Sequence, residues 1–332
     1  MATKYFWGDE PDEAEYYASQ GVSNSQSYFT TPSGQRLFTQ SFRPLGAGAD
    51  DDPKALVFMT HGYGSDTGWL FQKIAIAFAS WGYSVHVADL LGHGRSDGLR
   101  GYLGDLDAVA AASLSFFRSV RESGPAARQV PAFLFGESLG GLVTTLIYLQ
   151  SPPGLWTGLI LSAPLFVIPE DMKPSRARLF LFGLLFGAAD TWQAMPENNM
   201  VGKAIRDPGK LRVIASNPRR YTGRPRVGTM REIARMCEHV RAEFPKVSAP
   251  FLVVHGTEDG VTAPEGSRML YERAASEDKE IILYEGMLHS LVQGEPEENS
   301  QRVLADMRRW IDERTVRYGG GGAAAAGGGR ND

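Results

Sequence analysis

Six short runs constrain what this chain can fold into more than anything else in it: "ALVFMTHG", "YSVHVADL", "AFLFGES", "TGLILSAP", "FLVVHGTED" and "EIILYEG". Their centres are largely apolar rather than alternating, and most are separated by helix-length stretches. Strands apolar on both faces must be covered on both, and parallel strands need crossovers long enough to hold a helix. The pattern predicts an α/β fold with a mostly parallel central sheet and helices on both faces. Ahead of it, "SYFTTPSGQRLFTQSFRP" reads as a hairpin around "TPSGQ". Ligands of such sheets sit beyond the carboxyl ends of the strands. His61, Asp89, Ser138, Asp259 and His289 all follow these runs.

The rhythm fails between 164 and 226, a segment rich in Pro, Phe, Leu and Arg that reads as an inserted, mostly helical cap. The predicted organisation is a flexible arm over 1–25, a core over 26–163 and 227–317, the cap over 164–226, and a disordered Gly/Ala-rich tail over 318–332. A net charge of -4 is too weak for a nucleic-acid partner. The single cysteine, Cys237, permits no internal disulfide, which fits a reducing compartment. Residues 1 to 27 are polar and acidic, unlike a signal peptide. The most apolar run, "LFLFGLLFGAA" over 179–189, falls short of the roughly 18 to 20 residues a membrane span needs. The expectation is a soluble cytoplasmic protein, with no metal or cofactor, and with peripheral contact to the endoplasmic reticulum membrane through the cap as a further option.

"FLFGESLGG" carries the chemistry. Gly136-Glu137-Ser138-Leu139-Gly140 matches G-x-S-x-G, with a strand pattern before it and a helical pattern after it, the context this motif requires. The turn forces a strained backbone on Ser138, and the helix that follows directs N–H groups at any oxyanion formed there. A serine hydroxyl needs a base. Of the six histidines, His86 lies within a strand pattern and His239 on a charged helical stretch. His61, His93 and His255 sit in Gly-rich turns, where structural hydrogen bonds are common. His289, in "YEGMLHS" after the last strand, completes the order Ser, acid, His of this fold. "FLVVHGTEDGVT" offers Glu258 and Asp259 as the acid; Asp259 is preferred, and Glu258 reads as a surface neighbour. Asp89 and Asp97 read as loop anchors. The expected oxyanion donors are the backbone N–H groups of Leu139 and Tyr63.

Taken together, "HGYGSDTGWLFQKIA", "ADLLGHGRSDG", "FLFGESLGGLV", "LSAPLFVIPEDMKPS", "ASNPRRYTGRPRVGTMRE" and "YEGMLHSLVQGEPEEN" resemble the plant branch of the monoacylglycerol lipase-like α/β-hydrolases. The resemblance runs from about residue 28 to 317, cap included. It implies a serine esterase of the lignin route that splits caffeoyl shikimate, a small-molecule hydroxycinnamate ester, into caffeate and shikimate. Ser138, Asp259 and His289 carry over as catalytic residues, with Tyr63 and Leu139 as donors.

Three features bear on the substrate. The cap holds eleven Lys or Arg against five acids, a net +6 on a chain of -4, suited to an anionic ligand. Arg224 and Arg226 are its candidate binding residues. Animal members of the family are expected to hold Glu and Arg in the loop after Tyr63, where this chain has Ser65 and Trp69. The Trp69 indole suits an aromatic ring, or it packs a helix onto the sheet. The run 179–189 either lines an acyl channel or packs the cap on the body. Competing readings are a monoacylglycerol or lysophospholipid lipase, an acyltransferase using His61 and Asp66 in an H-x4-D pattern, and a ligand-binding receptor of the same fold.

Overall fold

The computed structural model describes residues 12–47, 53–170, 190–193 and 203–319. Eight strands form one sheet: β1 (Val22–Thr30), β2 (Arg36–Pro44), β3 (Leu56–Thr60), β4 (Ser84–Ala88), β5 (Ala132–Glu137), β6 (Gly158–Ser162), β7 (Phe251–Gly256) and β8 (Lys279–Tyr284). Their order is β1-β2-β4-β3-β5-β6-β7-β8. The first hairpin is antiparallel, β2 meets β4 antiparallel, and every later pairing is parallel. All six apolar runs are strands, and "TPSGQ" is the hairpin turn.

Period-two geometry divides each central strand between two apolar layers. Leu56, Phe58 and Leu134 pack against α3 (Leu106–Arg121) and α5 (Leu139–Leu149). Val57, Met59, Phe133 and Phe135 face α2 (Gln72–Ser80) and α9 (Glu297–Gly319), where Trp310 is fully buried. The other α-helices among the described residues are α1 (Glu13–Ser19), α4 (Pro125–Gln129), α6 (Pro208–Ser216), α7 (Val227–Glu243) and α8 (Pro264–Arg273). Helix α5 lies close on β3 because Gly140 has no side chain: a Cβ there would overlap the Thr60 carbonyl. This close approach brings the start of α5 to the end of β3.

The loose arm expected over 1–25 is corrected from residue 12 onward. Asp12 caps α1 by accepting from the Ala14 N–H at 2.8 Å, Tyr17 is buried against Phe42, and Val22 already belongs to β1. A short polar segment hid one inward-facing aromatic and a cap. At the other end, Tyr318 and Gly319 close α9; the rest of the expected tail lies outside the described residues, as does the run 179–189.

Of the segment 164–226, residues 171–189 and 194–202 also lie outside the described residues. The part from 203 onward joins two loops of the core. Ser290 N donates to Ala204 O, and Arg206 N to Gly294 O, both at 2.9 Å. Further along, Tyr221 N donates to Gly64 O at 2.9 Å and Asn217 Nδ2 to Asp66 Oδ2 at 2.6 Å. Among the described residues no helix is long and apolar enough to cross a membrane.

Candidate active site

Beyond the carboxyl ends of β3, β5, β7 and β8, four chain segments converge. Ser138 occupies the turn between β5 and α5 with φ 57° and ψ -124°, a conformation that costs a non-glycine residue about 1 to 3 kcal/mol. The strain holds its hydroxyl outward, and Ser138 stays partly exposed while both flanking residues are buried. Ser138 Oγ lies 2.9 Å from His289 Nε2. His289 Nδ1 lies 2.7 Å from Asp259 Oδ2. Asp259 Oδ1 accepts from the N–H groups of Val261 and Thr262 at 2.7 and 2.9 Å. Burial works to raise the Asp259 pKa, but the charges of His289 and His255 and their hydrogen bonds to the carboxylate hold it well below the usual carboxylate range. With the carboxylate ionised, Nδ1–H donates to it and Nε2 is left to accept from the serine hydroxyl. The arrangement can deprotonate Ser138 as it attacks a carbonyl, and can hold the resulting imidazolium.

Two backbone donors flank the serine. Leu139 is the first residue of α5, and Tyr63 follows Gly62, where an added Cβ would stand 3.2 Å from the Ser138 Cβ. Among the described residues, neither the Leu139 nor the Tyr63 N–H has a hydrogen-bond acceptor. The Tyr63 phenol donates to Gly101 O at 2.9 Å, which anchors the loop. His61 and Asp66 do not form a catalytic pair. His61 is fully buried, accepts from Leu90 N at 3.0 Å and lies 2.8 Å from Gly62 O through Nδ1, while Asp66 accepts from Gly68 N and Asn217 Nδ2. Their polar atoms are engaged in holding the loop.

Residues 51–297 match the family of serine aminopeptidases, S33. The chain belongs to this family. Its S33 relatives include the caffeoylshikimate esterase of Arabidopsis thaliana, 64% identical over 314 residues, which are 95% of this chain and 92% of that protein. The monoacylglycerol lipase of Mycolicibacterium smegmatis is 28% identical over 290 residues, 87% of this chain and 97% of that one. Among solved structures, a thermostable carboxyl esterase from Bacillus coagulans in complex with glycerol has a TM-score of 0.73 at 18% identity, covering 88% of this chain and 99% of that chain. A soluble variant of the monoglyceride lipase of Saccharomyces cerevisiae has a TM-score of 0.68 at 20% identity, covering 87% and 95%. These two speak to the fold, which is the α/β-hydrolase fold. This S33 chain is a carboxylic ester hydrolase.

Around the S33 site stand Thr262, which motif reading missed, and His255, which it read as a turn residue with structural hydrogen bonds. Thr262 Oγ1 is 2.8 Å from Asp259 Oδ2, 3.1 Å from His289 Nδ1 and 3.1 Å from Ala163 O. His255 Nε2 lies 3.0 Å from Asp259 Oδ2, and its Nδ1 lies 2.7 Å from Ser267 Oγ. The clue was present in "EDGVT": an aspartate followed by glycine favours an Asx turn onto the next N–H groups. The other histidines stand as expected: His86 is buried on β4, His93 is buried in its turn and His239 is exposed. Asp89 anchors Thr67 N and Arg95 N, Asp97 anchors Arg36 N, and Glu258 is a surface residue.

Of the two cap arginines read as substrate contacts, Arg226 is buried and donates to the carbonyls of Arg100 and Thr191. Its role in the structure is to fasten the segment. Arg224 is exposed. Trp69 is partly buried in the left-handed region at φ 49°. Among the described residues it belongs to neither apolar layer.

Glu137, which precedes Ser138 in the elbow, is buried; Oε2 accepts from Gln293 Nε2 and Oε1 has no partner among the described residues. Burial pushes its pKa up to about 7, against the opposing pull of His289 and Gln293. Burial works to lower the His289 pKa, but Asp259, and after it Glu137, raise it above the ordinary 6.5. Only the neutral imidazole can take the serine proton, so kcat/KM is expected to rise with pH through a value above 6.5. Glu137→Gln removes one of the charges that raise it and is expected to move this acid limb to lower pH. A kcat/KM profile from about pH 5 to 9 checks both; an unmoved limb in the variant contradicts the coupling.

Proposed function

We propose that this chain hydrolyses caffeoyl shikimate to caffeate and shikimate through an acyl-enzyme on Ser138. The observation that carries the reading is the 64% identity with the Arabidopsis caffeoylshikimate esterase over 95% of the chain, a span that includes the cap. The site geometry supports the steps. Ser138 Oγ attacks the ester carbonyl as His289 Nε2 takes its proton, and the Leu139 and Tyr63 N–H groups receive the oxyanion. His289 then protonates the departing shikimate oxygen. Water, deprotonated by the same nitrogen, attacks the caffeoyl-Ser138 ester and releases caffeate. Asp259 holds the imidazole throughout. Residues 164–226 act as the cap over this site, and Trp69 offers its face to the caffeoyl ring. The buried thiol of Cys237, which is in no disulfide, supports a cytoplasmic setting.

Hydrolysis in ¹⁸O-labelled water tests the route. One ¹⁸O atom is expected in the caffeate carboxylate and none in shikimate. Label in shikimate, or no caffeate released, contradicts it.

A further inference from the structure

The proposed substrate carries a carboxylate on its alcohol half, and three of the described cap cations are already engaged in the structure. Arg206 pairs with the buried Glu295 at 3.2 Å. Lys210 donates to Glu295 O at 2.7 Å and pairs with Glu297 at 3.3 Å. Arg226 is held by two backbone carbonyls. Arg220 differs. It is partly buried, and among the described residues its guanidinium meets no carboxylate, carbonyl or hydroxyl. Burial lowers its pKa, and no acid offsets that shift. A guanidinium has five donors, and leaving it desolvated and unpaired is costly unless a ligand completes it.

Its position gives that ligand a place. Residues 217–221 are laid along the loop that carries the Tyr63 N–H. Asn217 bonds Asp66, Tyr221 N donates to Gly64 O at 2.9 Å, and the Tyr221 ring meets the Tyr63 ring edge-on at 6.0 Å. A Cβ added at Gly62 of the same loop would stand 3.2 Å from the Ser138 Cβ. Residue 220 is therefore one position from a backbone bond to the oxyanion loop. Arg219, its neighbour, has Nη1 3.7 Å from the Cβ position of Gly68, beside Asp66.

We propose that Arg220 is a specificity residue that receives the carboxylate of the alcohol half of the ester, so that the site selects acidic alcohols over neutral ones. The inference rests on the proposed function for the identity of the alcohol, and on the position and lack of partners of Arg220 for the recognition. A guanidinium matches a carboxylate with two parallel hydrogen bonds, which a lysine cannot reproduce.

The test compares wild type, Arg220→Gln, Arg220→Lys and Arg219→Gln on caffeoyl shikimate and on methyl caffeate, which shares the acyl group and lacks the charge. Arg220→Gln is expected to lower kcat/KM about 10- to 100-fold more for the shikimate ester than for methyl caffeate, mainly through KM. Arg220→Lys should recover part of that loss, and Arg219→Gln should show little selectivity change. An equal fall on both esters, or none on either, overturns the proposal. A second arm measures inhibition of methyl caffeate hydrolysis by shikimate and by methyl shikimate. Shikimate should inhibit wild type better than its methyl ester does, and that difference should vanish in Arg220→Gln. If wild type fails to split caffeoyl shikimate, the proposed function falls, and this arm alone judges Arg220. A difference retained in the variant, or absent from wild type, overturns the inference.

Discussion

Replacing Ser138 with alanine is expected to lower kcat on the order of 10⁵- to 10⁶-fold while leaving the fold intact. Alanine keeps the Cβ and meets the same positive φ, so the elbow pays no new strain. The atom removed has His289 Nε2 as its one hydrogen-bond partner among the described residues. Without Oγ there is no acyl-enzyme, and only the oxyanion donors and substrate binding remain. Burst kinetics and the thermal midpoint, measured on the same preparation, check both halves. A variant that keeps more than a hundredth of the rate would remove Ser138 from the mechanism.

Asp259→Asn is expected to lower kcat by about 10⁴-fold with a small effect on KM. The surroundings dictate which way the new amide points. Oδ1 of Asp259 accepts two backbone N–H groups, from Val261 and Thr262. An asparagine must keep its carbonyl oxygen there, which turns its NH₂ toward His289. His289 Nδ1 then has to accept, its proton moves to Nε2, and the ring donates to Ser138 instead of accepting from it. NMR of the imidazole nitrogens would report the tautomer, and steady-state rates the loss. Near wild-type turnover would show that another acid, Glu258 being nearest in sequence, orients the base.

The sheet was legible because burial on both faces leaves little room for polar residues within a strand, so the runs stay largely apolar. That Ser138, Asp259 and His289 meet in space was legible because the elbow needs glycines at fixed offsets and the fold orders these three residues along the chain. Thr262 and His255 were not, since their place on Asp259 depends on segments from 163, 255, 262 and 289 meeting in space. Helix α1 was missed because one capping aspartate and one inward tyrosine leave little periodicity in seven residues. Composition gave the cap's net charge correctly but not its use. Arg206, Lys210 and Arg226 serve structural bonds, and only coordinates separate them from Arg220.

The central claim concerns the substrate, and one comparison tests it most directly: kcat/KM on caffeoyl shikimate, a monoacylglycerol and a lysophospholipid, side by side, with Ser138→Ala as the blank. The account predicts that the shikimate ester is favoured by about 10²-fold or more over either lipid. Faster turnover of a lipid, with the shikimate ester near the blank, would contradict it and leave the triad serving an acyl-chain site.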